Sequence, residues 1–295
     1  MTTTSTPSKN SDFCRLLDIH ISEINNYAGS LQDIFFNRRL EAMIVREVFP
    51  KSVMEEAIER LEKDEGGLSA VFVSSQSKSA LVAKINHSYG PGLFGSQPDL
   101  KEYFAKASIF RQGCRALFQG NVDYEERIKS VFHSLSGGLP VEIPTGLEGN
   151  SYSSSSIRVI PDGHEIPIHV GKDLLLLPQA SHIRSLIDFT DQISFFTPLS
   201  IPEAGGELVV YSLEFDEEKQ GNKSANLYEL GLQTQSFNPD LYDSKVLAPG
   251  VGDMLLFDGG RYYHRVTPVS GSRPRRTIGG FVNFSCNHDV VYYWN

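Results

Sequence analysis

The hydrophobic period of this chain changes near residue 138, and that change constrains the fold more than any other feature. Before it, apolar residues recur at helical spacing. "FPKSVMEEAIERLEKDEGG" puts Val53, Met54, Ala57, Ile58 and Leu61 on one face and stops at Gly66 and Gly67. "DLKEYFAKASIFRQGCRALFQG" repeats the pattern through Leu100, Tyr103, Phe104, Phe110, Cys114 and Leu117, and "NVDYEERIKSVFHSLSGG" predicts a further helix capped by Asn121 or Asp123. After residue 138 the pattern becomes short apolar or alternating runs cut by Pro, Gly, Asn and Asp. These include "SSIRVIPDG", "EIPIHVG", "QISFFTPLSIPEAGGELVVYSLEF", "GDMLLFDGG", "YYHRVTPV" and "RRTIGGFVNFS". Many short strands joined by turn chemistry predict a sandwich or rolled sheet.

The organisation expected is a flexible N-terminal tail and lead-in over residues 1–30, then one domain over 31–295. Its helical part spans 31–137 and its β-roll core 138–295. The polar segment "EEKQGNKSANLYELGLQTQSFNPDLYDSK" predicts a long excursion between strands, passing over a site.

Bulk properties exclude several classes of partner. A net charge of −9 over 295 residues, with no dense Lys/Arg run, argues against nucleic acid or an anionic membrane surface. No apolar run approaches the ~20 residues a bilayer demands, and "MTTTSTPSKNSD" lacks the apolar core of a secretory signal. Cys14, Cys114 and Cys286 form no paired framework, so a reducing cytoplasm is the expected location, with each cysteine a small core or surface residue.

Of eight histidines, two stand in strand-like sequence beside turns: His169 in "IPIHVGKD" and His264 in "RYYHRVTPV". Imidazoles from two distant strands suit a facial Fe(II) site, whose third ligand is a carboxylate two residues after the first histidine. Here that position is Gly171. Asp173 lies two residues further and is a poor substitute, so the pair alone does not define a metal site. Two strand histidines with no metal between them remain an open reading of these residues.

Their neighbours supply the missing context. "PEAGGELVVY" is a Gly-Gly turn feeding an alternating strand, "APGVGDMLLFDGGRYYHRVTPV" leads through another such turn into His264, and "SRPRRTIGGFVNFS" brings a basic residue into the next strand. This order of parts resembles the Fe(II)/2-oxoglutarate oxygenase superfamily and its double-stranded β-helix, a jelly-roll or cupin-like core with flanking α-helices. The stretches "NRRLEAMIVREVFP", "GSQPDLKEYFAKASIFRQ", "VFHSLSGGLPVEIPTG", "PEAGGELVVYSLE", "GDMLLFDGGRYYHRV" and "PRRTIGGFVNFS" together resemble the freestanding cyanobacterial halogenases of hapalindole-type indole alkaloids. The likeness runs from about residue 30 to the terminal "YYWN".

The resemblance implies His169 and His264 as iron ligands, Gly171 as the position opened for chloride, and Arg276 as the anchor of 2-oxoglutarate. Arg276 is preferred to Arg275 because it opens the strand "RTIGGFVNFS" and alternates onto the face of Ile278 and Gly280. Ser194, in "DQISFFTPL", is a candidate to hydrogen-bond an iron-bound oxygen, or equally a serine tied to neighbouring backbone. Phe196 would share its face as pocket wall.

Fe(II), 2-oxoglutarate, chloride and O2 are the implied cofactors and cosubstrates. The implied reaction chlorinates an aliphatic carbon of a free indole alkaloid, releasing succinate and CO2, with no carrier protein. A hydroxylase of the same fold and a non-catalytic β-roll binding module are the alternatives, and neither the alkaloid nor the oligomeric state can be read from the sequence.

Overall fold

Residues 13–74, 87–93, 100–121, 123–215 and 238–295 are described by the computed structural model. From the N-terminus come β1 (Leu16–His20), α1 (Ser30–Phe35), β2 (Ala42–Arg46), α2 (Lys51–Glu62), β3 (Phe72–Ser74) and β4 (His87–Tyr89). Next are α3 (Leu100–Leu117), α4 (Tyr124–Leu135), β5 (Val141–Glu142), β6 (Ser156–Ile160), β7 (Ile166–His169), α5 (Lys172–Leu175) and α6 (Ser181–Arg184). The remaining strands are β8 (Ile193–Ser200), β9 (Ala204–Gly205), β10 (Leu208–Glu214), β11 (Ser244–Leu247) and β12 (Met254–Phe257). The chain closes with β13 (Tyr262–Val266), β14 (Val269–Ser270), β15 (Arg275–Phe284) and β16 (Val291–Trp294).

A large sheet runs β1-β2-β12-β8-β15-β6-β4-β3, with β16 on β15 and β5 on β16. A smaller one runs β11-β10-β13-β7, and β9 and β14 form a third, minimal pair. From β6 to β15 the principal strands alternate between sheets: β6, β8, β12 and β15 belong to the large sheet, β7, β10 and β13 to the small one. That alternation is a double-stranded β-helix, as the resemblance implied.

The period-2 pattern of each strand sorts its side chains between two cores. On the outer face of the large sheet, Phe195, Leu199, Leu256, Ile278 and Val282 pack with Val53, Met54, Ala57 and Leu61 of α2. Phe110, Cys114 and Leu117 of α3 and Ile128, Val131, Phe132 and Leu135 of α4 complete this layer. Between the sheets, Ile44, Ile160, Leu255 and Phe257 of the large sheet meet Ile166, Leu208, Val210, Tyr262 and Val266 of the small one. The odd-numbered residues of β15 from Arg275 to Phe281 therefore point into the roll, and the even-numbered ones point towards the helices.

The helices follow the sequence closely. Asp123 caps α4, accepting the Glu126 N–H at 3.1 Å. Cys14 and Cys114 are buried and Cys286 is exposed, all three free. No helix among the described residues is long and apolar enough to cross a membrane.

Two N-terminal expectations need correction. The lead-in contains β1, paired in parallel with β2 from Leu16↔Ala42 to His20↔Arg46, and β2 pairs in turn with β12. The part read as helical, 31–137, thus also supplies β2, β3 and β4 of the large sheet. Residues 216–237 of the long excursion lie outside the described residues, as do residues 1–12 of the tail.

Candidate active site

His169 ends β7 and His264 is central in β13, and the two face each other directly across the pair. Their ring centroids are 4.2 Å apart. Each imidazole is oriented by its own strand: Nδ1 of His169 donates to the Pro167 carbonyl at 2.8 Å, and Nδ1 of His264 to the Tyr262 carbonyl at 2.9 Å. A carbonyl can only accept, so both rings carry their proton on Nδ1 and present a bare Nε2. Burial, opposed by the hydrogen bond donated to the Pro167 carbonyl and reinforced by Arg158, brings the His169 pKa down to about 4. Burial, with His169 and Arg158 adding to it, holds His264 well below its ordinary range. At neutral pH the pair is two uncharged nitrogen donors, the state a metal requires.

Nothing acidic completes the set. Among the described residues no third His, Cys, Asp or Glu converges with the pair. Gly171 lies beyond the strand end, with φ −68° and ψ −30°, and begins α5. Its N–H donates to the Gly259 carbonyl at 2.7 Å. A Cβ at this position would stand 2.8 Å from Gln192 Oε1 and 3.0 Å from the Gly259 carbonyl oxygen. A side chain at position 171 would have to push the Gln192 carboxamide aside and press on the Gly259 carbonyl. Asp173 is buried with Oδ2 unpartnered, and burial pushes its carboxyl up to about 6, but it does not join the histidines.

Glycines make the turn before β13 possible. Gly259 lies so close to β8 that a Cβ would meet Ser194 Oγ at 2.4 Å, and a Cβ on Gly260 would meet Asp191 Oδ1 and Gln192 N, both at 2.6 Å. Arg38 ties this turn to the start of β8. It donates from Nη1 to Asp258 Oδ2 at 2.8 Å and also to Asp191 Oδ2. Both carboxylates are buried, and burial together with Asp191 holds Asp258 well above the usual range. This fixed turn places Ser194, Gln192 and Gly171 around Gly259. The Ser194 hydroxyl has no hydrogen-bond partner among the described residues, although its backbone pairs within the sheet. Phe196 lines the interior as expected, packing with the apolar cluster between the sheets.

The arginines divide differently from the expectation. Arg276 does share a face with Ile278, but that face is the helix-covered outside of the large sheet. Its Nη2 pairs with Glu62 Oε1 of α2 at 2.7 Å. Arg275 is the inward residue: it is 7% exposed, lies opposite Ile160, and holds its guanidinium 4.9 Å above the Phe196 ring. Burial lowers its pKa to about 9, with Arg158 contributing.

Sequence reasoning missed Arg158, the inward residue of β6 opposite Thr277. Its charge is felt by His169, His264 and Arg275 alike, which places it near both the histidine pair and the second guanidinium. Neither Arg158 nor Arg275 has a carboxylate partner among the described residues. A buried cation without a counter-ion is unfavourable, and two of them beside a neutral histidine pair suit a small dicarboxylate. These residues therefore fit Fe(II) at the histidines and 2-oxoglutarate against the guanidiniums.

Comparison with known proteins bears on the same chemistry. Among solved structures, an N-substituted L-amino acid dioxygenase from Burkholderia ambifaria AMMD is similar, with 15% identity and a TM-score of 0.53. The match covers 90% of this chain and 91% of that one, and it supports the shared fold. A prolyl hydroxylase from Trichoplax adhaerens, in complex with a hypoxia inducible factor peptide fragment, matches at 13% identity and TM-score 0.45, over 92% of this chain and 89% of that one. No curated protein sequence matches significantly. The family model described as "Carrier-protein-independent halogenase WelO5" matches residues 13–295. With almost the whole described chain matched, this protein belongs to the WelO5 family of carrier-protein-independent halogenases, Fe(II)- and 2-oxoglutarate-dependent oxidoreductases that use O2 and chloride.

Proposed function

We propose that this enzyme chlorinates an unactivated aliphatic carbon of a freestanding hapalindole-type indole alkaloid, with release of succinate and CO2. The observation that carries the reading is the two-histidine set, with Gly171 where a carboxylate ligand would stand and no other acidic residue joining it. Removing that carboxylate removes one negative charge and one donor, which leaves room and charge balance for a halide.

When bound, Fe(II) with 2-oxoglutarate and O2 supplies the power to remove a hydrogen atom from the substrate, and chloride supplies the halogen. The protein's part is positional. His169 and His264 offer Nε2 because their Nδ1 protons are engaged by Pro167 and Tyr262. Arg275 would hold the distal carboxylate of 2-oxoglutarate through its planar fork, with Phe196 fixing the guanidinium plane. Arg158 would add a second positive charge beside the same cosubstrate. Ser194 has an uncommitted hydroxyl next to Gly259 and would orient a polar ligand on that side of the pair. The substrate is free in solution, in keeping with the carrier-independent family.

The test is product analysis from protein loaded anaerobically with Fe(II), 2-oxoglutarate and chloride, given a panel of indole alkaloids, then exposed to O2. Substrate-dependent succinate with a chlorine isotope pattern in the product is expected. A hydroxylated product at saturating chloride would favour the hydroxylase reading. Failure to bind Fe(II) and 2-oxoglutarate together would favour a non-catalytic module.

A further inference from the structure

Beside Gly171 lies a side chain whose hydrogen-bonding capacity is wholly unused. Gln192 is completely buried, and neither its Oε1 nor its Nε2 has a partner. Its backbone, by contrast, is fixed at both ends: N–H donates to Asp191 Oδ1 at 2.7 Å, and the carbonyl accepts the Gly260 N–H at 2.8 Å. The turn therefore fixes the point from which the side chain extends, and the buried carboxamide finds nothing among the described residues to bond. Buried amides in that condition are costly and call for an explanation.

Its location supplies one. Oε1 lies 2.8 Å from where a side chain at position 171 would begin, so the carboxamide borders the space that a ligating carboxylate would enter. The nearby backbone donors are already committed: the Gly171 N–H to the Gly259 carbonyl at 2.7 Å, and the Gly260 N–H to Gln192 itself. Oxygen and nitrogen of a carboxamide have almost the same shape. Turning the group over presents two N–H bonds to the same space without repacking. The surroundings favour an anion there, since Arg158 and Arg275 face the interior without carboxylate partners.

We propose that Gln192 is the halide-positioning residue, donating a side-chain N–H to the chloride in the space beside Gly171. This inference depends on the halogenase reading above. It assigns Gln192 control of halide affinity, separate from the histidines that hold iron and the arginines that hold 2-oxoglutarate. An N–H bond to an ion is among the stronger hydrogen bonds, so its loss should be visible in the halide equilibrium itself.

The experiment titrates chloride, then bromide, into anaerobic Fe(II)·2-oxoglutarate protein and follows the shift of the charge-transfer absorption. Wild type is compared with Gln192→Met, which keeps the unbranched shape without a donor, and Gln192→Glu, which puts an acceptor there. Loss of one charge-assisted bond should weaken chloride binding by about tenfold or more in the Met variant, and further in the Glu variant. Fe(II) and 2-oxoglutarate binding should stay near wild type. If Gln192→Met binds chloride within about twofold of wild type, the assignment is overturned while the halogenase reading stands. If wild type shows no halide-dependent shift, the halogenase reading fails first. If the variants do not fold, the wild-type protein still decides. A bromide-loaded crystal should give an anomalous peak within hydrogen-bond reach of the Gln192 carboxamide, and a peak elsewhere at the iron would overturn the assignment.

Discussion

Replacing Arg275 by methionine separates the cost of a buried charge from the function it serves. The guanidinium is almost fully buried over Phe196, has no carboxylate partner among the described residues, and burial depresses its pKa to about 9, far below the ordinary arginine range. The protein without cosubstrate thus tolerates an unfavourable charge, and methionine should fill the volume with an apolar chain that still packs on Phe196. Stability without cosubstrate should rise, on the order of 2 kcal/mol once the lost stacking on Phe196 is discounted. Binding should move the opposite way. Two charge-assisted bonds to a carboxylate disappear, and a net loss of about 3 kcal/mol raises the 2-oxoglutarate Kd by roughly 150-fold.

Arg276→Met provides the control, because its partner Glu62 has a side chain 57% exposed. That pair should contribute less than about 1 kcal/mol and leave 2-oxoglutarate affinity unchanged. The assay is 2-oxoglutarate titration into anaerobic Fe(II) protein, with thermal denaturation of the metal-free protein alongside. A larger affinity loss in Arg276→Met, or native affinity in Arg275→Met, would refute the assignment of the inward arginine.

Three further outcomes are expected. His169→Ala and His264→Ala should each abolish Fe(II) binding in equilibrium dialysis while keeping the far-UV spectrum; retention of iron by either removes that residue from the site. Asp173 has its folded pKa raised to about 6 from 3.8 by burial, so its contribution is present below 3.8 and lost as pH rises through about 6. Asp173→Asn should therefore stabilise the protein at pH ~8 by on the order of 2–3 kcal/mol and much less at pH ~4, measured by chemical denaturation; an equal effect at both pH values would contradict the assigned cause. Gly171→Asp alone should lose activity, because its Cβ comes within 2.8 Å of the Gln192 carboxamide and 3.0 Å of the Gly259 carbonyl. Adding Gln192→Ala makes room, and the double variant should give hydroxylated product in a ratio independent of chloride; undiminished chlorination by Gly171→Asp alone would show that the halide sits elsewhere.

The roll and its helical cover were legible because two periods, 3.6 and 2, occupy separate parts of the chain. β2 escaped notice for a physical reason. "AMIV" is a continuous apolar run, buried on both faces between β1 and β12, and periodicity cannot separate such a run from a helix segment. The histidine pair and Gly171 were readable from motif order. The arginine was not, because sharing a face with Ile278 and Gly280 does not say which side of the sheet that face is on. In a roll covered by helices both faces of the large sheet are apolar, and Ile278 packs against the outer layer. Arg158, a charge centred in an apolar strand, was visible in sequence, but only the register that sets it opposite Thr277 makes Arg275 the inward arginine. Gln192 left no trace in sequence, since only its burial without a partner distinguishes it.

The central claim is that iron here is held by two histidines and a halide, with no protein carboxylate. X-ray absorption at the iron edge, on the anaerobic Fe(II)·2-oxoglutarate protein with and without chloride, addresses it without needing the natural substrate. The account predicts two imidazole scatterers throughout, plus a heavier chloride scatterer that appears with chloride and is replaced by a bromide scatterer when bromide is supplied. A first shell of light atoms alone that ignores both halides would contradict it.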